Sequence, residues 1–311
     1  MALAHRDADA AIRWGERAIE LATHCGDHEV AGMTHSAVGS AWLILEYDRG
    51  REYLERFLAD TRERGEARHA ANALAHLGKR SAETYHLEHA AHDLAEGLTF
   101  TDGRDLDMYQ LFMRAWQALT LLHQGRWCES ATVARAVLLR CGMSAVNRLP
   151  ALVAFGRLYA RAGLAEAHDA LRDAREIAEP IGTSETFGLV SAACAEAAWL
   201  AGDDGRTLAE AQGAYEVAIR ERHPWVAGEL AFWRWKAGDR LPTLDGLSTP
   251  RSTASYASYE HPPMLKASPH RLRSTRLSAS SMPPSHTSGA HRRPRRLNLT
   301  HPERFTALKA G

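Results

Sequence analysis

The sequence predicts an all-α protein built as a stack of helical hairpins, and three observations carry that expectation. Ala, Leu, Arg and Glu dominate residues 1–243, where Pro150, Pro180, Pro224 and Pro242 are the only prolines and β-branched clusters are nearly absent. Apolar residues recur at three- and four-residue spacing, as in Trp14, Ala18, Ile19 and Ala22, or Leu54, Phe57 and Leu58. Short Gly/Asp breaks punctuate these runs, so the helices are joined by tight turns and lie antiparallel to their neighbours.

The first helix falls at 8–23 and ends at the break "CGDHE". The later breaks are "ERGE", "TDGRD", "HQGR", "RAGL", "AGDDG" and "KAGD". In the helices before alternate breaks a small residue recurs: Gly39, Gly78, Ala118, Gly156, Ala195 and Ala231. The intervals are 39, 40, 38, 39 and 36 residues, and bulky neighbours such as Val38, Trp42, Leu77, Leu121, Phe155 and Tyr159 flank them. Glycine inside a helix costs up to about 1 kcal/mol, so its recurrence points to a packing demand: two helices crossing closely at that residue. Six such repeats are recognisable. The helix at 8–23 reads as a lone second helix, whose first helix would lie before Met1.

The stretch "AFGRLYARAG" at 154–163 resembles the tetratricopeptide repeat, with Gly156 as the small residue, Tyr159 as the aromatic one and Gly163 in the turn. Ser130 stands where that repeat usually has alanine, and the period exceeds its usual length of about 34 residues. The resemblance implies a right-handed α-solenoid. The segments "LHQGRWCESATVARAVL", "RLPALVAFGRLYARAG", "AEAAWLAGD" and "HPWVAGELAFWRWKAG", in that order, resemble the repeat region of large bacterial LuxR-type ATP-dependent transcriptional regulators, over residues 8–247. In that family a P-loop ATPase precedes the repeats and a helix-turn-helix follows them. The resemblance therefore implies a sensor segment that couples a ligand or partner to both ends.

Neither end is legible in this sequence. No G-x-x-x-x-G-K-[ST] loop occurs. At "ALAHLGKRS" position 73 is alanine where the loop needs glycine, and Arg80 replaces its Ser/Thr. "LTHPERFTAL" at 299–308 is similar to the opening of a DNA reader, but only three residues follow it. From Ser248 onward there are 11 Lys/Arg, 2 acidic residues, 11 serines and 8 of the 12 prolines. The expected organisation is a repeat domain at 1–243 and a disordered basic tail at 244–311. The abrupt shift to Ser/Pro/Arg is what an out-of-frame reading of a GC-rich gene produces. Arg292, Arg293, Arg295 and Arg296 could make weak, nonspecific nucleic-acid contacts.

Cys25, Cys128, Cys141 and Cys194 form no C-x-x-C pair, which argues against structural zinc and a disulfide framework. The N-terminus has no apolar signal region, and no apolar run approaches the roughly 20 residues that span a bilayer. The expectation is a cytoplasmic protein without membrane contact, cofactor or metal. His86, His89 and His92 drift around a helix and suit a solvated face better than a metal site. No catalytic motif appears, and Asp203-Asp204 suits a helix cap, so no enzyme is expected.

Binding, where it occurs, belongs on the concave surface lined by the first helix of each pair. The tetratricopeptide resemblance puts His123, Arg157, Arg161, Glu196, Trp199 and Trp235 there. Arg157 and Arg161 could clamp a carboxylate or phosphate and Trp199 could stack on a ligand. The competing expectation has the two arginines solvated and Trp199 packed between repeats. In "PWVAGELAFWRWKAG" the first helix of a sixth repeat is expected to leave Leu230 and Trp233 uncovered, for want of a second helix. The functional expectation is a scaffold for a protein or small-molecule effector. Its alternative is a free-standing adaptor that binds a peptide in the groove.

Overall fold

A computed structural model of the chain describes residues 8–239 except Cys141. Twelve α-helices follow one another, and no strand occurs among the described residues. They are α1 (Ala8–His24), α2 (His28–Leu45), α3 (Tyr47–Glu63), α4 (Ala67–Glu83), α5 (Leu87–Thr101) and α6 (Asp107–His123). Then come α7 (Trp127–Leu138), α8 (Ala145–Arg161), α9 (Glu166–Ala178), α10 (Leu189–Leu200), α11 (Asp204–Arg220) and α12 (Pro224–Lys236). A single π-helical turn, Ser184–Gly188, leads directly into α10. The tail at 244–311 and the nucleic-acid contacts expected of it lie outside the described residues.

Each Gly-containing break read from the sequence falls at the end of a helix, and local chemistry sets those ends. Asp27 and Asp203 accept hydrogen bonds from the amides of Val30 (3.0 Å) and Arg206 (2.9 Å), capping α2 and α11. Gly163 closes α8 with φ near 67°, and the amide of Leu164 reaches back to the Tyr159 carbonyl at 2.9 Å. In two turns the left-handed position is held by Tyr85 (φ 57°) and Arg222 (φ 52°) instead of glycine. A bulky residue there costs free energy, so other contacts must hold it in place.

Each helix packs on its chain neighbours, and α2, α4, α6, α8, α10 and α12 also pack on one another in succession. The even-numbered helices therefore form one layer and the odd-numbered helices flank it. The recurrent small residues stand at the crossings between the layers. A β-carbon on Gly39 would lie 2.4 Å from Leu54 Cδ2, one on Gly78 2.6 Å from Leu94 Cδ2, and one on Gly156 2.6 Å from Leu171 Cδ2. These distances are well inside van der Waals contact, so each glycine admits the leucine of the next helix. At the third repeat the carbonyl of Ala118 accepts a 2.7 Å hydrogen bond from Ser130 Oγ, which explains a serine where alanine is usual.

One expectation needs correction. Leu230 is fully buried and Trp233 nearly so, against Ala192 and Ala195 of α10 and Ala211, Ala214 and Tyr215 of α11. The two neighbouring helices already cover this face of α12. The residue left half exposed is Trp235, two positions further on.

Candidate functional site

The even-numbered helices curve until residues distant in sequence meet on their inner face. Lys79 and Arg80 of α4 reach Glu185 in the π-helical turn, at 2.9 and 2.5 Å. Arg80 also pairs with Glu83 at 2.6 Å and donates from Nε to Ser40 Oγ at 2.6 Å. One layer further on, Arg157 lies 3.2 Å from Glu196 and pairs with Glu229 of α12. Arg161 binds the other oxygen of Glu196 at 2.5 Å. The Tyr85 hydroxyl donates to Glu229 at 2.9 Å, which uses the strained turn before α5 to tie α4 to α12.

The four cations and four carboxylates of this cluster balance. Arg80 and Arg157 are each only 2% exposed. Burial works against their charge, but the adjoining glutamates more than offset it, so both guanidiniums hold their protons more tightly than free arginine does. Two histidines share the enclosure. Burial, with Arg157 and Arg161 adding to it against Glu196, pushes His123 down to about 3. Burial also lowers His223, despite the opposing charges of Glu83 and Glu185. Both rings are therefore neutral near pH 7. A cavity of about 30 Å³ remains between Tyr85, Trp116, His123, His223 and Glu229. A water needs roughly 10–15 Å³ of such space, so one or two waters fit there and a peptide does not.

Of the six residues expected to line the groove, the structure gathers His123, Arg157, Arg161 and Glu196 into this cluster. The two arginines are neither solvated nor free to clamp an anion, because both are enclosed, at 2% and 9% exposure, and face glutamates of the same chain. Trp199 packs between repeats: its ring lies 6.0 Å from that of Trp233, with Lys236 Nζ 4.8 Å above it. Trp235 sits apart, beside Phe232. Of the histidine series, His86 and His89 stay together, their rings 6.1 Å apart on Tyr47. His86 stacks on Tyr47 at 3.6 Å, His89 hydrogen-bonds the Tyr47 hydroxyl at 2.8 Å, and His92 faces outward near Glu96. Among the described residues no group of three or more His, Cys, Asp or Glu side chains is spaced to hold a metal.

Sequence reasoning missed Lys79, Arg80, Glu83, Glu185 and Glu229. A signal for some of them exists. The residue after each small crossing residue points to the inner face, and that column reads Ser40, Lys79, Leu119, Arg157, Glu196 and Phe232. Charges in such a column call for partners across the stack.

These features define an all-helical hairpin-repeat protein whose inner face is closed by a neutral, buried ionic cluster. No family model matches the sequence, and a search of curated proteins found no match. No described helix is long and apolar enough to cross a membrane.

Proposed function

We propose that this chain is an interaction scaffold without catalysis of its own, the repeat and sensor segment of a LuxR-type ATP-dependent regulator. The regular stack supports this reading: tetratricopeptide-like hairpins cross at Gly39, Gly78 and Gly156 with a leucine of the next helix at each glycine. Such stacks offer extended surface, and the charged residues of this one's inner face pair with one another. The free-standing adaptor that grips a peptide in the concave groove is the weaker alternative, because the arginines expected to grip it are already paired with Glu196 and Glu229. Contacts with a partner then fall on the outer helices and the two ends of the stack.

Reading the genomic DNA on either side of the coding region tests the regulator assignment. ATPase coding upstream and helix-turn-helix coding downstream are expected, and the absence of both overturns it. ATP turnover by the purified chain above the background of a heat-denatured sample overturns the scaffold reading itself.

A further inference from the structure

Consecutive helices of the stack are generally held apart by large side chains. Phe57 and Leu58 of α3 cluster with Leu74 of α4, Met113 of α6 lies against Gly97 of α5, and Val137 and Leu138 of α7 cluster with Leu149 of α8. Along one edge of α9 and α10 the facing residues are mostly small. The facing residues are Ala167 and Leu171 on one side and Cys194, Ala197, Ala198 and Ala201 on the other. A groove of about 580 Å³ opens there, closed at one end by Gly163 and Leu164 of the α8–α9 turn. This lies in the size range of small-molecule sites, roughly 300–1,000 Å³, and like them it has apolar walls with a few polar groups at the mouth.

Those polar groups are mainly cationic. Arg172, Arg175 and Arg206 line the groove, and its one carboxylate, Asp203, is engaged in capping α11. Arg172 is tethered to Asp169 (2.6 Å) and Asp173 (2.9 Å) with Glu176 at 3.9 Å, and Arg175 is held by Glu210 with Glu179 at 3.9 Å. Arg206 lies 3.4 Å from Glu210 and is otherwise largely exposed. Asp169, Asp173 and Glu210 hold the arginines from outside the groove wall. A guanidinium has five N–H donors, and Glu210, shared by Arg175 and Arg206, does not use all of theirs, which leaves donors for a second anion. Burial pushes the Cys194 thiol on the floor above its ordinary value, against the pull of Arg175. The floor is therefore uncharged at neutral pH.

We propose that the α9–α10 groove binds a small amphipathic anion, with an acyl or aryl body along the alanine walls and a carboxylate at Arg175 and Arg206. Binding here does not depend on the scaffold reading, whose tests involve neither the groove nor its residues.

The probe is decanoate, titrated calorimetrically into the full chain below its micellar concentration, with decylammonium as the cationic control. Saturable binding of one equivalent of decanoate is expected, with decylammonium at least about tenfold weaker because its charge meets arginines. Ala197→Leu fills the groove with three further carbons and should weaken decanoate about tenfold or more without lowering the melting temperature. Arg206→Gln, at an exposed position that leaves the fold intact, should weaken it by about tenfold at low salt. The proposal is overturned by absence of saturable binding, by equal affinity for the two probes, or by unchanged affinity in Arg206→Gln. Should Ala197→Leu unfold, the charge variant and the cationic control still decide.

Discussion

Arg80 Nη1 stands 2.5 Å from Glu185 Oε1, joining the last turn of the fourth helix to the π-helical turn that precedes the tenth. Both side chains are almost fully enclosed, at 2% and 5% exposure. Glu185→Gln keeps the shape but removes the charge, leaving Lys79 and Arg80 to share Glu83. Breaking a buried pair from one side costs roughly 3–5 kcal/mol, because a buried charge loses its partner. The melting temperature, followed by circular dichroism, should fall by about 6–12 °C at the lower end of that cost, on the usual 2–4 °C per kcal/mol for a chain of this size. A change under about 2 °C would show that the pair is not enclosed as described.

Three glycine-to-alanine substitutions should separate close approach from simple helix propensity. At Gly50 a β-carbon would lie 2.3 Å from the backbone nitrogen of Leu43, which cannot swing aside. Gly50→Ala should cost more than about 3 kcal/mol. At Gly156 the obstacle is the Leu171 side chain at 2.6 Å, so Gly156→Ala should cost about 1–2 kcal/mol, and the cost should shrink in a Leu171→Ala background. Nothing lies within 4 Å of a β-carbon at Gly213, so Gly213→Ala should stabilise by up to about 1 kcal/mol. Urea unfolding of the series measures all three, and a uniform response would contradict the crossing geometry.

Acid should weaken the fold partly through His123. Its folded value is pushed down to about 3 from an ordinary 6.5, so below pH 6.5 the unfolded chain takes up a proton that the folded chain refuses. Stability contributed by this ring is complete above about pH 6.5 and is lost as pH falls toward about 3. Between pH 7 and pH 5 the loss amounts to about 2 kcal/mol for one such histidine. Replacing it with a side chain that does not titrate, as in His123→Gln, should flatten the pH dependence of urea unfolding by about that amount, and an unchanged slope would exclude the ring as its source. His223 acts in the same direction.

In α12 two nearby tryptophans should behave differently. Trp233 is 9% exposed and packs on α10 and α11, so Trp233→Ala should cost about 3–5 kcal/mol. Trp235 is 49% exposed, and Trp235→Ala should stay within about 0.5 kcal/mol. Equal losses in thermal melts would mean that something covers Trp235.

Much of the architecture is legible because its determinants are local. Gly39, Gly78 and Gly156 mark the crossings, since only a small residue tolerates a leucine so close, and Gly163 marks a turn by its left-handed backbone. The closed inner face is not local. Whether Arg157 meets solvent or Glu229 depends on how curvature accumulates over four helices, and no spacing of three or four residues encodes that. Glu185 was hidden further, because it belongs to a π-helical turn outside the hairpin rhythm. The covering of Leu230 and Trp233 is not local either: α10 and α11 already supply the walls that a further helix is expected to provide.

The tie between Tyr85 and Glu229 has a thermodynamic consequence. In an open helical stack each unit touches only its neighbours, so the ends fray and the array melts piecewise. Here contacts spanning 144 residues join units that would otherwise be strangers. Releasing α12 exposes buried charges on α8 as well as on itself, which penalises every partly melted intermediate. The chain should therefore behave as one cooperative unit, its two halves losing structure at the same denaturant concentration.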